Sequence, residues 1–537
     1  MTCGRKGMLA AAEFGPGVDW VQVNSVNHKT GADFVGPTLI VLAVAAALRL
    51  VLAGNLGLGI DETYTVATSR QVALSYFDHP PLAWWLVGLV RYLVHSESPF
   101  WVRLPFVALF FATGWMLFLL TRLLYDARSG FFAVLAVSCA PVIGVTTGTF
   151  VLPDGPLVLA MVTGAYCLAR ALLGPPAGAP LWWLAAGLCG GLALMSKYHG
   201  IFLFCGTGLF LLTSPEQRRW FARPWPYLGF AIAVVLFLPV LYWNAEHNWV
   251  SFAFQSGRGG PLRLRPLAPL TVIGGQALFL LPWIWFGLVA TGIGALRKGP
   301  REPASWLQFC LAIGPIVTFT VVSLWSSTRV FPHWSMPGYL MLFPLLGAAI
   351  SKRWDNAASH MRLWAKISVA LTTFAVLFVS LAAHIGWPPG DIEALKRFRD
   401  PLVETATAHN IRDELDRRGL LGKPGLFVTG LRWFNAAQLD YALAGALPVT
   451  CVCDDPRGYG VLAPADKFVG QDAIIVIPAV DERYIQNAFG SHFETIEPLG
   501  SVDMLRAGKP SVAMKLFLGH KLRPGWRPPW LMPKPGS

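Results

Sequence analysis

Apolar residues fall in long unbroken runs separated by short polar segments over the first 385 positions, and the pattern then changes. The runs lie at 37–53, 100–124, 131–147, 157–173, 181–196, 201–213, 227–243, 267–296, 306–325, 337–350 and 367–385. A helix needs roughly 20 apolar residues to cross a bilayer. Most of the runs approach that length, and the pattern predicts about 11 transmembrane helices, with 201–213 short for a full crossing. Residues 80–94 (PPLAWWLVGLVRYLV) are apolar but shorter, and read as an amphipathic helix lying at the interface. From 388 onward the chain is charged and rich in turns, with short β-like runs at 426–429, 473–477 and 512–517. Residues 411–420 have the spacing of an amphipathic helix. The fold class expected is a polytopic α-helical membrane protein with a C-terminal extracytoplasmic α/β domain.

Composition agrees and fixes an orientation. Only 14% of the 537 residues are charged, against the roughly 25% of soluble domains. A net charge of +13 in a soluble protein would suggest nucleic acid. Here Lys and Arg collect in alternate loops, around Arg122, Arg170, Arg218, Arg297 and Lys352. With the N-terminus inside, all of these loops are cytoplasmic, and no nucleic-acid partner is implied. The division expected is a cytoplasmic tail (1–36), a membrane domain (37–386) and the extracytoplasmic domain (387–537), whose Pro-rich tail is extended. The tail 1–36 has no short apolar core of a cleavable signal, so the first run reads as a signal anchor. Arg49 would snorkel from the end of that run. The cysteines in the runs read as small packing residues. Cys451 and Cys453 stand too close for an ordinary disulfide and lack the second pair of a zinc site.

The polar chemistry gathers in the loops opposite the basic ones, at 54–99, 149–156, 244–266 and 326–335, and at 197–199. The densest stretch is Gly59-Ile60-Asp61-Glu62-Thr63-Tyr64, continued by Tyr76-Phe77-Asp78-His79-Pro80-Pro81. Charge beside a bilayer is costly, which makes such a patch a functional candidate. A carboxylate there could take a proton as general base, or carboxylates with a histidine could hold a divalent cation. The residue types alone do not choose. Bland readings exist for each: a solvated acidic loop, an interface lysine at 197, interface caps at His333-Trp334, ordinary interface histidines at 199 and 247, a Trp84-Trp85 anchor, and a solvated Asp454-Asp455 turn.

Four motifs occur in order: Asp61-Glu62-x-Tyr64, Tyr76-Phe77-Asp78-His79-Pro80-Pro81-Leu82, Leu152-Pro153-Asp154-Gly155-Pro156-Leu157 and Leu194-Met195-Ser196-Lys197-Tyr198. Together they resemble the bacterial branch of the family 39 glycosyltransferases, similar to the protein O-mannosyltransferases and the aminoarabinose transferase that modifies lipid A. The resemblance implies a GT-C-type enzyme of the bacterial inner membrane that moves a sugar from a polyprenyl-phosphate donor to a glycan, lipid or protein acceptor on the outer face, with inversion. It implies catalytic roles for Asp61, as base, and for Glu62 and Asp154. Lys197, Arg258, Arg329, His79, Tyr64 and Tyr76 would contact the donor phosphate. Asp78 and His333 would be the ligands if a divalent metal ion is bound, and no nucleotide cofactor is needed because the sugar arrives activated on a lipid. The phosphate gains charge as the sugar leaves, so cations beside it would act in the transition state. The main rival is a transporter or flippase of lipid-linked sugars, which would place its charges at mid-membrane in repeated broken helices. An oligosaccharide polymerase or ligase and a structural subunit are further alternatives.

Overall fold

The computed structural model describes residues 34–257, 264–326, 330–356, 358–387, 408–478 and 482–527. Its first part is helical. α1 (Val35–Asn55) leads into the first polar loop, which carries α2 (Ile60–Thr68) and α3 (Leu82–Val94). Then follow α4 (Pro99–Leu124), α5 (Ala127–Ser138), α6 (Asp154–Leu173), α7 (Ala179–Ser196), α8 (Ile201–Thr213) and α9 (Trp225–Glu246). After them come α10 (Val250–Gly257), α11 (Ala268–Leu280), α12 (Pro282–Lys298), α13 (Pro303–Val322), α14 (Met336–Leu340), α15 (Phe343–Trp354) and α16 (Ala358–Ile385).

Among the described residues seven helices, α1, α4, α6, α7, α9, α13 and α16, are long and apolar enough to cross a membrane. Two further candidates are broken: α11 and α12 meet at 111°, and the segment Pro332–Leu340 meets α15 at 61°. The multi-pass helical fold is as expected; among the described residues the long candidates number seven, or nine with each bent pair as one span, against the about 11 expected. The break at 281 has a local cause. Leu281 sits at φ 69°, outside the helical region, and Pro282 starts the next helix. Polar groups near the break find partners: Gln276 donates to Ser335 (2.8 Å), Tyr339 donates to Gln276 (2.9 Å) and Trp285 to Tyr339 (2.8 Å). Irregular backbone at membrane depth requires such satisfaction. The expected crossings at 131–147 and 201–213 correspond to the short helices α5 and α8, of 12 and 13 residues.

Small residues let the membrane helices approach. A Cβ on Gly187 of α7 would lie 2.1 Å from the Gly229 carbonyl oxygen of α9, so the two backbones are in contact there. Arg49 does not snorkel. It is buried, donates to the Ala45 carbonyl (2.7 Å) and lies 3.7 Å over the Phe110 ring.

The C-terminal domain contains α17 (His409–Arg417), β1 (Leu426–Gly430), α18 (Trp433–Leu443), β2 (Val449–Thr450), α19 (Tyr459–Leu462), β3 (Asp472–Pro478), α20 (Glu482–Phe489), β4 (Phe493–Arg506) and β5 (Lys509–Leu522). Its sheet has the order β2-β1-β3-β5-β4. β1 pairs in parallel with β2 and β3, while β5 runs antiparallel to β3 and β4. The three β-like runs and the amphipathic helix of the sequence are here. The two-residue β2 and the exposed face of β4 carried no comparable signal. Cys451 and Cys453 form a disulfide, contrary to expectation. The chain turns between them, bringing their Cα atoms to 5.3 Å, within the usual range for a bridge.

This domain is not loosely tethered. One hydrophobic core joins Tyr64, Trp84, Phe106 and Val151 of the membrane part to Trp433, Leu439 and Tyr459 of the C-terminal part. Around it Arg70 pairs with Glu97 (2.6 Å) and Asp440 (2.8 Å), Tyr459 donates to Asp440 (3.0 Å), and Tyr441 donates to the Glu97 carbonyl (3.1 Å). Lys509 donates to the Ile385 carbonyl at the end of α16 (2.9 Å), a favourable place for a cation.

Candidate active site

The helix α2 sorts its two acidic residues. Both stand in its first turn, where carboxylates suit the helix dipole. Glu62 turns inward and is buried. Its carboxylate accepts from Arg103 Nε (2.8 Å) and Nη2 (2.6 Å), from the Val151 N–H (3.0 Å) and from the Gly59 N–H (2.9 Å). Arg103 in turn donates to the carbonyls of Ala53, Leu56 and Gly57. Glu62 therefore ties α2 to α4 and to the loop before α6, and it does not line the cavity described next. It fits a positioning role better than the catalytic one expected for it. Asp61 is exposed and does line that cavity.

The cavity has a volume of about 560 Å³ and lies between the loop ends of the helices and the C-terminal domain. Its walls bring together Asp61, Tyr64, Asp78, His79, Asp154, Lys197 and His333, residues from four separate polar segments of the sequence. Asp154, at the first position of α6, and Lys197, at the end of α7, form a buried pair in which Nζ donates to both carboxylate oxygens (3.0 and 2.9 Å). Lys197 is thus not an interface lysine. Tyr76 is buried, donates to the Gln71 carbonyl (2.9 Å) and stacks on Trp84 at 4.8 Å, so it supports the wall without facing the cavity. Arg258 and Arg329 lie outside the described residues.

Tyr64 is the joint of the site. Its hydroxyl donates to Asp78 (3.1 Å) and accepts from the Gly458 N–H (3.0 Å) of the C-terminal domain. Its ring meets Trp433 edge-on at 5.2 Å and Trp84 at 6.4 Å. Burial, and next the charge of Asp78, hold its phenol well above the usual range, so it remains a donor. The Trp84-Trp85 pair is correspondingly no membrane anchor. Trp84 is buried with its indole N–H donating to Thr68 (2.8 Å), and Trp85 donates to the Ala73 carbonyl (2.9 Å).

A divalent ion does not fit Asp78 and His333 as they stand. One oxygen of Asp78 takes the Tyr64 hydroxyl, and the other faces the Arg457 guanidinium at 3.5 Å. Among the described residues no three His, Cys, Asp or Glu side chains cluster as a metal site would require.

Two lining residues, Trp433 and Arg457, come from the C-terminal domain and were not expected from the sequence. Arg457 follows Asp454-Asp455, which had read as a solvated turn. That turn instead anchors the loop: the Asp455 carbonyl accepts from the Trp433 N–H (3.1 Å). No local signal marked Arg457, because its meaning depends on where the whole domain docks.

Residues 78–243 match the family described as dolichyl-phosphate-mannose-protein mannosyltransferase. Two curated relatives are similar. One is the undecaprenyl phosphate-alpha-4-amino-4-deoxy-L-arabinose arabinosyl transferase 2 of Proteus mirabilis, 21% identical over 66% of this chain and 66% of its own length. The other is a lipid A galacturonosyltransferase of Rhizobium johnstonii, 24% identical over 52% of this chain and 58% of its own length. The crystal structure of ArnT from Cupriavidus metallidurans bound to undecaprenyl phosphate superposes with a TM-score of 0.61 at 17% identity, covering 90% of this chain and 98% of that one. The match is thus to a family segment, and the likeness of the chain as a whole to ArnT is one of fold, in agreement with the resemblance that the four motifs carry.

Proposed function

We propose that the protein transfers a sugar from a polyprenyl-phosphate carrier to an acceptor on the outer face of the inner membrane, with Asp61 as general base. One observation carries this reading. A single cavity of about 560 Å³, within the usual size of ligand sites, holds an exposed carboxylate at Asp61 and a buried lysine at 197 held by Asp154. Asp61 takes the proton of an acceptor hydroxyl as its oxygen bonds to the anomeric carbon. The bond from that carbon to the phosphate oxygen breaks, and the polyprenyl phosphate leaves with the electron pair. Attack from the face opposite the phosphate inverts the anomeric centre.

Lys197 faces the charge that grows on the leaving phosphate, where a preplaced cation acts most strongly. Asp154 holds it in place through both carboxylate oxygens. The positive charge comes from side chains in this scheme, not from a divalent ion. The names of the relatives, an undecaprenyl-phosphate aminoarabinose transferase and a lipid A galacturonosyltransferase, support a lipid-phosphate donor and favour a lipid A-type acceptor over protein.

The test uses purified protein in detergent, a panel of radiolabelled polyprenyl-phosphate sugars and total envelope extract. Label should move from one donor to an envelope lipid, and a chelator should leave the rate unchanged. Movement of intact lipid-linked sugar across liposomes without transfer would instead mean a flippase.

A further inference from the structure

Three arginines stand at or beside the junction of the two domains, and their surroundings differ. Arg103 has a bidentate carboxylate and three carbonyls. Arg70 has the bidentate Glu97 and both the side chain and the carbonyl of Asp440. A guanidinium offers five N–H donors, and in these two residues they are largely engaged. Arg457 is unlike them. It lines the cavity, yet its carboxylate contacts are long: one Nη donates to Asp78 at 3.5 Å, Asp455 stands 3.7 Å from Nε, and the buried Nε makes no hydrogen bond.

What holds Arg457 is packing and backbone. Its guanidinium carbon lies 3.9 Å over the Trp433 ring. Stacking occupies the flat face of a guanidinium and leaves its in-plane N–H groups open, the geometry that takes an oxyanion in bidentate fashion. The residue sits at φ 43°, in the left-handed region that a non-glycine side chain seldom adopts. The loop is fixed on both sides, by the Cys451–Cys453 disulfide before it and by the Gly458 N–H donating to Tyr64 after it. Strain maintained by such surroundings is characteristic of functional positions.

We infer that Arg457 is a substrate-binding residue: an oxyanion ligand, contributed by the C-terminal domain, that takes a phosphate of the bound lipid within the reaction cavity. The inference rests on the proposed reading that this cavity receives lipid-linked substrates. It gives the C-terminal domain a chemical part in the site, since the cation is present only while the domain is docked. A phosphate could belong to the carrier lipid or to the acceptor lipid, and the chemistry of recognition is the same.

The experiment measures binding to the full-length protein in nanodiscs for two ligand pairs. The first is undecaprenyl phosphate against undecaprenol, and the second is lipid A against lipid A stripped of its phosphates. Wild type should prefer the phosphorylated member of at least one pair. Arg457→Gln should reduce that preference by about 10- to 100-fold, the scale of a charge-assisted hydrogen bond. The affected pair identifies the source of the phosphate. Arg457→Lys should restore only part, since a point charge lacks the bidentate fork. Arg70→Gln removes one polar contact of the same domain junction outside the cavity, where the shared hydrophobic core keeps the domain docked, and should leave the preference intact. Unchanged preference in both pairs for Arg457→Gln would overturn the inference, as would an equal loss in Arg70→Gln, which would make Arg457 a docking residue only. Lys197→Ala separates the two levels. If it lowers undecaprenyl phosphate affinity while Arg457→Gln does not alter either pair, the inference alone fails. If wild type shows no phosphate preference at all, the donor reading fails with it.

Discussion

Asp61 and Glu62 are chain neighbours with the same chemistry and different surroundings. Successive residues of a helix point about 100° apart, so one faces the cavity and the other the protein interior. The interior one meets Arg103, which is fully buried. Removing one partner of a buried pair leaves the other charge uncompensated, which costs about 3–5 kcal/mol. Glu62→Gln is therefore expected to lower the unfolding temperature of the purified protein markedly, and by more than Asp61→Asn does. Equal melting curves for Glu62→Gln and wild type would show that the pair does not hold α2. The acidic pair was legible in the sequence as a candidate site. Its division of labour was not, because the deciding partner lies 41 positions away inside an apolar run. An arginine within such a run signals a hidden acidic partner, and that clue was available at Arg103.

At the scale of elements, the loop 451–458 and the helix α2 are fitted to each other. A Cβ on Gly458 would lie 2.4 Å from the Tyr64 hydroxyl oxygen, so only glycine allows this approach. Gly458→Ala should separate the loop from α2, at about the 1–3 kcal/mol typical of overpacking. Limited proteolysis should show faster cleavage at the domain junction, and transfer should fall. Cleavage at the wild-type rate would mean that the loop accommodates the methyl group. The C-terminal domain also carries a pH dependence. Partial desolvation lowers the imidazole of the half-buried His492, and that of the more exposed His409 beside Tyr441, below the ordinary 6.5. Protons then bind more readily to the unfolded chain, so this stability is present above pH 6.5 and is lost as the pH falls below it. Thermal unfolding of the domain should shift downward on acidification, and replacing both histidines with Asn should flatten the shift. These elements were partly legible. The hydrophobic runs of β1 and β3 are buried throughout the strands and stood out, whereas β4 is largely exposed and has no apolar period to read.

The whole molecule is a helical membrane body capped by a domain that forms one wall of the candidate cavity. Length and hydropathy made the membrane body legible, because the bilayer imposes both. They did not show that the runs at 267–296 and 337–350 are bent: Pro282 marks the break at 281 locally, but the partners that satisfy the polar groups there, Gln276, Ser335 and Tyr339, meet only in the fold. Nor could they show the docking of the C-terminal domain, which rests on contacts such as Arg70 with Asp440, 370 residues apart. The four ordered motifs were legible as a set, and residues from all four line one cavity. The central claim is that this cavity performs general-base sugar transfer from a lipid phosphate. Its most direct test is the single-turnover rate of sugar transfer by wild type and Asp61→Asn at saturating donor, with donor binding measured in parallel. The account predicts a rate lower by about 10²- to 10⁴-fold, the usual worth of a general base, at unchanged donor affinity. A rate within a few-fold of wild type would contradict it and remove Asp61 from the chemistry.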